Sequence, residues 1–547
     1  MRQRTIRNSR FSGYLLAIAT AATLFNSCKK DLTTPVNTKT TDSSTTTTAT
    51  KVPTTKPPAT TTPIPSTGTP LKNMFGINAF AWDFFASDPS NIDPTKMGLL
   101  KTFNGVRQYL DWSSLESAQG QYSFNPVING SWNLDAIYST LKSNNMTALV
   151  DIKTCPNWFL ASFPANLQNA EDVTAPYGSN LSDPASYILV GKVAFQFAAR
   201  YGSNTAVNKS LLSVDQTPRW ANDVVNTVKV GLNTVKYVEC NNEPDMWWGG
   251  LATKQTAQQY AANMSAFYDG NVGKLGKNVG IKNADPNMQV VMGGICNLPN
   301  AIQWIKDMVT WCAQNRGYKA DGSVNLCFDV INYHNYSNVG NVGAAPELSN
   351  AASEADAFTA EAKTIAGNPQ VWLTENGYDI NNQSSQRASA IGSKSALLVQ
   401  ADWILRSSLL YIKHGISRLF FYEMYDDAPG GTIQYATSGL MASTSARRPS
   451  GNYLQQVSNL MGSYTYVKTL SSNPMVDQYT NGTKSIWVLW MPTATGATAT
   501  YSLNVGQSSA TLYTLDPNST NIKSSAQTAT SNKLNVAVSE TPVFVSN

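Results

Sequence analysis

The sequence predicts an α/β protein: a (β/α)8 TIM barrel with a small C-terminal β-sandwich and a disordered N-terminal tether. Three observations predict it. Eight apolar runs alternate with helix-period segments across residues 72–462; short alternating strands replace them over residues 463–547; residues 29–70 hold almost nothing apolar.

In chain order, "MRQRTIR" is a basic leader, and "YLLAIATAATLF" is an apolar stretch of signal-peptide length, too short to span a bilayer comfortably. It ends at "LFNSC", which resembles the lipobox of bacterial lipoproteins. Residues 1–28 therefore read as a signal peptide whose Cys28 is acylated, with a plain secretory signal as the alternative. The stretch "TTDSSTTTTATKVPTTKPPATTTPIPSTGTP" cannot bury enough surface to offset ordering entropy and reads as an extended linker. The expectation is an exported bacterial lipoprotein, at the cell surface or in the periplasm, tethered to the outer or cell membrane by its lipid, or else secreted.

The barrel rests on strands read at "MFGINAFAW", "GVRQYLDW", "MTALVDIK", "VKYVECNN", "MQVVMGGI", "FDVINYHNY", "QVWLTEN" and "RLFFYEMY". They are near-continuous apolar runs, as a parallel sheet covered by helices requires. Helical patterns such as "LDAIYSTLKSN" and "KSALLVQADWILRSSLLYIKHG" lie between them, and "GNYLQQVSNLMGSY" reads as the last barrel helix. A doubly wound open sheet is the competing arrangement. The count of eight units and the lack of a glycine-rich phosphate turn after the first strand go against it. Beyond residue 463, "KSIWVLWMP", "ATATYSLNV", "ATLYTLD", "KLNVAVS" and "TPVFV" alternate as strands of a sandwich, whose expected role is packing on the barrel.

Composition narrows the ligand. Only 14% of the 547 residues are charged, the net charge is +5, and 13 Trp and 24 Tyr are present. Neutral hydrogen-bonding groups with flat apolar rings suit a neutral polyhydroxylated ligand, and the absence of a Lys/Arg stripe argues against nucleic acid. With Cys28 set aside, Cys155, Cys240, Cys296, Cys312 and Cys327 remain, an odd number with no CxxC spacing; with two His in the chain, neither a metal site nor another cofactor is expected. Cys312 with Cys327 is a candidate local bridge, and the sequence leaves the pairing among the five open.

Functional side chains of such barrels sit at the C-terminal ends of the strands. Those ends supply Arg107 on strand two, Asn242 and Glu243 on strand four, His334 and Tyr336 on strand six, and Glu375 on strand seven. Tyr422, Glu423 and Tyr425 end strand eight. Strands four and seven face each other across the mouth, so Glu243 and Glu375 can flank one bond, the arrangement that glycoside hydrolysis needs. Trp247 and Trp248 follow the first carboxylate, and Trp82 and Trp158 lie near the ends of strands one and three. All four are candidate platforms for sugar rings or, more simply, packing.

"NEP" on strand four with "TEN" on strand seven resembles clan A of the glycoside hydrolases, retaining enzymes on (β/α)8 barrels. The resemblance implies Glu243 as acid/base, Glu375 as nucleophile, and Asn242 on the sugar 2-hydroxyl. Arg107 corresponds to the clan's strand-two Arg, and His334 with Tyr336 to the His-x-Tyr of its cellulase-like members. Glu375 must be ionised, which Arg107 and the Tyr336 hydroxyl can secure, whereas Glu243 must start protonated. The clan's strand-eight Trp and the cellulase-like strand-three His are missing, with "FFYEMYDD" and "DIKTCPNW" in their places. The C-terminal sandwich is similar to that of the xylosidase/iduronidase-like and glucosylceramidase-like branches. Simpler roles are Arg107 as an ion-pair partner of Glu239, His414 as a helix cap, and Glu423 as a structural carboxylate. The expected function is a retaining glycoside hydrolase acting on a glycan. The alternative is a non-catalytic glycan-binding surface lipoprotein. Xylan, mannan, glucan, galactan and uronic-acid glycans all stay open as substrates.

Overall fold

The computed structural model describes residues 68–127, 131–221, 223–246, 249–250 and 252–547. Cys28, the leader and the linker up to residue 67 lie outside the described residues, as do Trp247 and Trp248. Eight strands close a parallel barrel: β1 Gly76–Asn78, β2 Gly105–Asp111, β3 Thr147–Lys153, β4 Tyr237–Cys240, β5 Gln289–Met292, β6 Val330–His334, β7 Gln370–Asn376 and β8 Arg418–Phe421. Closure is made by β1, which pairs with both β2 and β8. One principal helix follows each strand: α1 Pro94–Leu100, α2 Leu134–Ser143, α3 Ile188–Tyr201, α4 Ala257–Asp269, α5 Leu298–Asn315, α6 Ala351–Thr364, α7 Ala396–Lys413 and α8 Pro449–Met461.

All eight sequence-read strands are present, for a physical reason. A barrel strand is covered by helices outside and by packed side chains inside, so both its faces are apolar. Thus β6 is buried at every position and β7 at every position after Gln370. Helix ends follow local chemistry as well. Asp93 caps α1 ahead of Pro94, and Thr256 and Gln259 form a capping box on α4, which stops at Gly270 with φ +65°.

The barrel interior is layered. Leu149, Val291, Val330, Trp372 and Phe420 form an apolar plug. Toward the C-terminal ends of the strands follows a polar layer of Asn78, Arg107, Asp151, Glu239, Asn332 and Thr374, joined by hydrogen bonds. The candidate site rests on that layer.

After α8, antiparallel strands take over: β9 Thr465–Ser472, β10 Met475–Thr480, β11 Ser485–Trp490, β12 Ala499–Asn504, β13 Ser509–Thr514, β14 Lys523–Thr528, β15 Lys533–Val538 and β16 Val543–Ser546. Six of them make one sheet, ordered β9-β10-β11-β16-β13-β14, and β12 pairs with β15. Alternation divides β11 cleanly. Trp487 and Leu489 join the core shared with β12 and β15, while Ile486, Val488 and Trp490 join the barrel's core. Polar ties fix this contact: Arg406 of α7 meets Glu347 at 2.6 Å, and Trp490 Nε1 donates to Glu347 at 2.7 Å.

The candidate Cys312–Cys327 bridge is not formed. The sulfurs face each other at 3.5 Å as thiols, and all five described cysteines are free. No helix among the described residues is long and apolar enough to cross a membrane.

Candidate active site

The site is organised around a buried guanidinium. Arg107 sits mid-strand on β2, fully buried, and its N–H groups reach three carboxylates: Glu239 through two bonds at 2.8 and 2.9 Å, Glu375 at 2.8 Å and Asp151 at 3.3 Å. It also donates to Asn78 Oδ1 at 3.0 Å and Asn242 Oδ1 at 2.9 Å. Asn78 in turn ties β1 to the carbonyls of Thr374 and Phe421. The ion pair with Glu239 and the contact with Glu375 therefore coexist. A planar fork with several donors is what lets one side chain do both.

Glu375 ends β7 where the register shifts against both neighbours, between Leu373 and Glu375 on one side and Leu373 and Asn376 on the other. A bulge re-aims side chains, and here successive residues Thr374 and Glu375 both address the interior. Glu375 Oε1 accepts from Arg107 and from the Tyr109 hydroxyl, and Oε2 accepts from Tyr336 at 2.7 Å. Burial pushes this carboxyl's pKa up. The charges of His334 and Arg107 and the hydroxyls of Tyr109 and Tyr336 outweigh it, holding the pKa at about 2.

Glu243 is built differently. It follows β4 through a tight turn in which Asn241 (φ +65°) and Glu243 itself (φ +44°) lie in the left-handed region that most side chains avoid. Asn242 Oδ1 accepts from Arg107 at 2.9 Å. Glu243 Oε1 meets His334 Nδ1 at 2.9 Å, and the same nitrogen lies 3.6 Å from Glu375 Oε2. Single atoms of Glu243, His334 and Glu375 all fall within 4.8 Å of one another. These three are the one group among the described residues with metal-ligand reach, but the Arg107 guanidinium already occupies the cationic position against Glu375.

His334 is clamped from behind. Its Nε2 faces Thr374 Oγ1 at 3.0 Å, and that oxygen accepts from Asn332 Nδ2 at 2.7 Å. A Cβ on Gly294 would come within 2.0 Å of the ring, so only glycine leaves room for the imidazole. Burial lowers the pKa of His334, but the Glu375 charge and the contact with Glu243 raise it above the ordinary 6.5.

Among the expected aromatic residues, Trp82 is half exposed and stacks on Phe80 at 4.6 Å, and Phe80 adjoins Tyr109 and Tyr422. Trp158 is instead packed: Nε1 donates to the Glu116 carbonyl at 2.9 Å and the ring stands edge-on to Trp112. Tyr422 joins the aromatic wall, 5.6 Å from Tyr435, while Tyr425 turns toward Asp83 and Asp93. Glu423 is buried, and burial with nearby Asp427 and Asp83 pushes its carboxyl far above the usual range, a poor state for a nucleophile. A cleft of about 260 Å3 opens beside Glu243 and His334, lined also by Tyr336, Tyr435 and several amides.

Sequence reasoning missed Tyr109, Asn78, Asp151, Thr374 and Tyr435. Tyr109 and Asp151 carried a signal: Tyr109 stands two residues beyond Arg107 and Asp151 two before Lys153, so strand alternation points each inward. Tyr435 carried none. It lies in the loop after β8, with φ +70°, and its backbone N–H is anchored by Asp379 at 2.9 Å.

No protein-family model matches the sequence, and no curated protein matches it. Solved structures do. A family 39 glycoside hydrolase from the gut symbiont Bacteroides cellulosilyticus WH2 superposes with a TM-score of 0.58 at 14% identity, over 87% of this chain and 81% of its own. This chain has the fold of that hydrolase. The catalytic domain of GH30 xylanase C from Talaromyces cellulolyticus gives a TM-score of 0.50 at 12% identity, over 88% of this chain and 98% of its own. A glucosidase from Croceicoccus marinus gives 0.50 at 11% identity, over 88% and 97%. Families 39 and 30 are (β/α)8 barrels of clan A, and the closed eight-stranded barrel described above is theirs.

Proposed function

We propose that this chain is a glycoside hydrolase that works with retention, by double displacement, on a polysaccharide or oligosaccharide. The observation that carries this reading is the pair Glu243 and Glu375, with oxygens no more than 4.8 Å apart in unlike surroundings. Retaining enzymes hold their carboxyl groups about 5–5.5 Å apart, whereas inverting enzymes need about 6.5–9.5 Å to admit a water.

The roles follow from the surroundings. Glu375, kept ionised by Arg107, Tyr109 and Tyr336, attacks the anomeric carbon as the bond to the leaving oxygen breaks. Glu243 gives that oxygen its proton. A glycosyl ester on Glu375 results. Water then attacks the same carbon, Glu243 takes the water's proton, and Glu375 leaves as a carboxylate. Esterification removes the Glu375 charge, the largest influence holding the His334 proton in place. The imidazole beside Glu243 thus loses proton affinity at the stage when Glu243 must turn from acid to base. The amide of Asn242 serves the sugar 2-hydroxyl, and the Trp82–Phe80 shelf with Tyr422 offers a ring platform.

The test is a screen of the purified protein on polysaccharides and aryl glycosides, with Glu375→Gln as control. Turnover should fall by at least about 10^4-fold in the variant. Activity surviving the substitution would refute the nucleophile assignment, and binding without any turnover would favour a glycan-binding protein. Separately, we propose export and acylation at Cys28, supported by the leader and "LFNSC". Palmitate labelling abolished by Cys28→Ala checks this, and labelling that persists in the variant sinks it.

A further inference from the structure

The cleft carries an inference about charge that rests on the hydrolase reading. Asn335, Asn338, Asn350, Gln386 and Gln434 line it beside Glu243 and His334, and no Lys or Arg is among the described residues that do so. Asn335 is 3% exposed, and its Nδ2 has no hydrogen-bond partner within the protein. Carboxamides offer both donors and acceptors, which matches hydroxyl groups, but they cannot neutralise an anion.

Among the described residues, four basic side chains near the barrel mouth have partners of their own. Arg107 is shared among Glu239, Glu375 and Asp151. Lys153, over the face of Tyr109, is paired with Glu171 at 3.1 Å, and Arg448 with Asp426 at 2.5 Å. Lys96 donates to the carbonyls of Trp82 and Phe85 at 2.9 and 2.6 Å. A carboxylate or sulfate on the sugar would therefore meet the carboxyls of Glu243 and Glu375, between which His334 is already held, with no Lys or Arg among the described residues lining the cleft to receive it, and like charges set against each other oppose binding.

We propose that this cleft takes neutral glycans and rejects sugars bearing a carboxylate or sulfate. Affinity electrophoresis of the full chain tests it, in gels containing neutral polymers (xylan, β-glucan, mannan, galactan) or anionic ones (polygalacturonate, alginate, sulfated galactan). At least one neutral polymer should retard the protein about tenfold more strongly than any anionic one. Stronger retardation by an anionic polymer overturns the inference, as does retardation by none. Turnover on the same panel reads the hydrolase assignment separately: binding to a neutral polymer without cleavage keeps this inference and sinks that assignment. Asn338→Lys adds a cation at an exposed position of the cleft and should raise retention on anionic polymers several-fold. Unchanged retention would show that the cleft is not what senses charge, which also overturns the inference.

Discussion

The two ends of the barrel carry their charges in opposite ways. At the C-terminal end, Arg107, Glu239, Asp151 and His334 are almost wholly buried, and every one touches another ionisable group. At the N-terminal end, a hollow of about 300 Å3 opens among Asp356, Lys363, Lys413 and His414, slightly larger than the 260 Å3 cleft above. Its His414–Asp356 contact, at 2.8 Å, is open to water, with Asp356 64% exposed. Volume thus does not distinguish the two ends; a cluster of desolvated charges does, for among the described residues the hollow sets only Lys413 against buried Asp477, at 3.3 Å, where the upper end gathers three carboxylates on Arg107. Holding charges out of water is costly unless they are paired in good geometry. Such an arrangement at the strand ends that carry function is a stronger pointer to chemistry than a hollow with solvated walls.

The sharpest way to break the comparison is to neutralise one carboxyl at the C-terminal end. Glu243→Gln should lower kcat/KM about 10^2–10^4-fold on substrates with poor leaving groups, the range that positioned acid–base catalysis supplies. The loss should shrink on aryl glycosides whose leaving group needs no proton. Equal losses on both substrate types would mean that Glu243 is not the acid. Next in size is Arg107→Met, which leaves Glu239, Asp151 and Glu375 without their shared cation. Removing one partner of a buried pair costs about 3–5 kcal/mol, so thermal unfolding should fall by many degrees. A variant melting within a degree or two of wild type would deny the guanidinium its structural part.

The sequence made the barrel legible because each strand is covered on both sides and so reads as an unbroken apolar run. It was less informative where a strand is open. "TYVKTLSS" (β9) and "KSSAQT" (β14) edge the six-stranded sheet, expose most of their side chains, and carry little apolar patterning. In the site, Glu243, Glu375, Arg107, His334 and Tyr336 were legible because strand position alone brings them to one mouth. Thr374 was not, since alternation sends it away from Glu375 and only the bulge brings both inward. Trp158 read as a sugar platform because type and position do not reveal that its N–H already has a partner.

A smaller effect tests how that end holds its protons. Glu375 has a depressed pKa, so its contribution to stability is present above its ordinary 4.5 and lost as pH falls toward about 2. His334 has a raised pKa, so its contribution is complete below its ordinary 6.5 and lost as pH climbs through the raised value. Both contributions are therefore complete between about pH 4.5 and 6.5, and the alkaline limb of kcat/KM should follow loss of the His334 proton. Thr374→Val strands the buried Nε2, at greater cost to the imidazolium than to the neutral ring. That limb should move to lower pH by roughly half a unit or more, with rates at the optimum down about tenfold. Thr374→Ser should restore it. An unmoved limb in the valine variant would remove Thr374 from any positioning role.

The smallest expected effect belongs to the other end, and it decides whether the contrast is real. His414→Gln breaks the contact with Asp356, a pair in water whose attraction is screened by solvent and salt. Substitutions of this kind usually stay within about 0.5 kcal/mol. The variant should match wild type in melting temperature, kcat/KM and pH profile. The hollow around it has the size of a binding site, and its Lys413 is paired with buried Asp477 at 3.3 Å, but it lacks, among the described residues, several carboxylates gathered on one buried cation as at the upper end. A His414→Gln variant that lost activity while keeping its stability would show chemistry at the base of the barrel. Buried charge would then have failed as the criterion that separates the two ends.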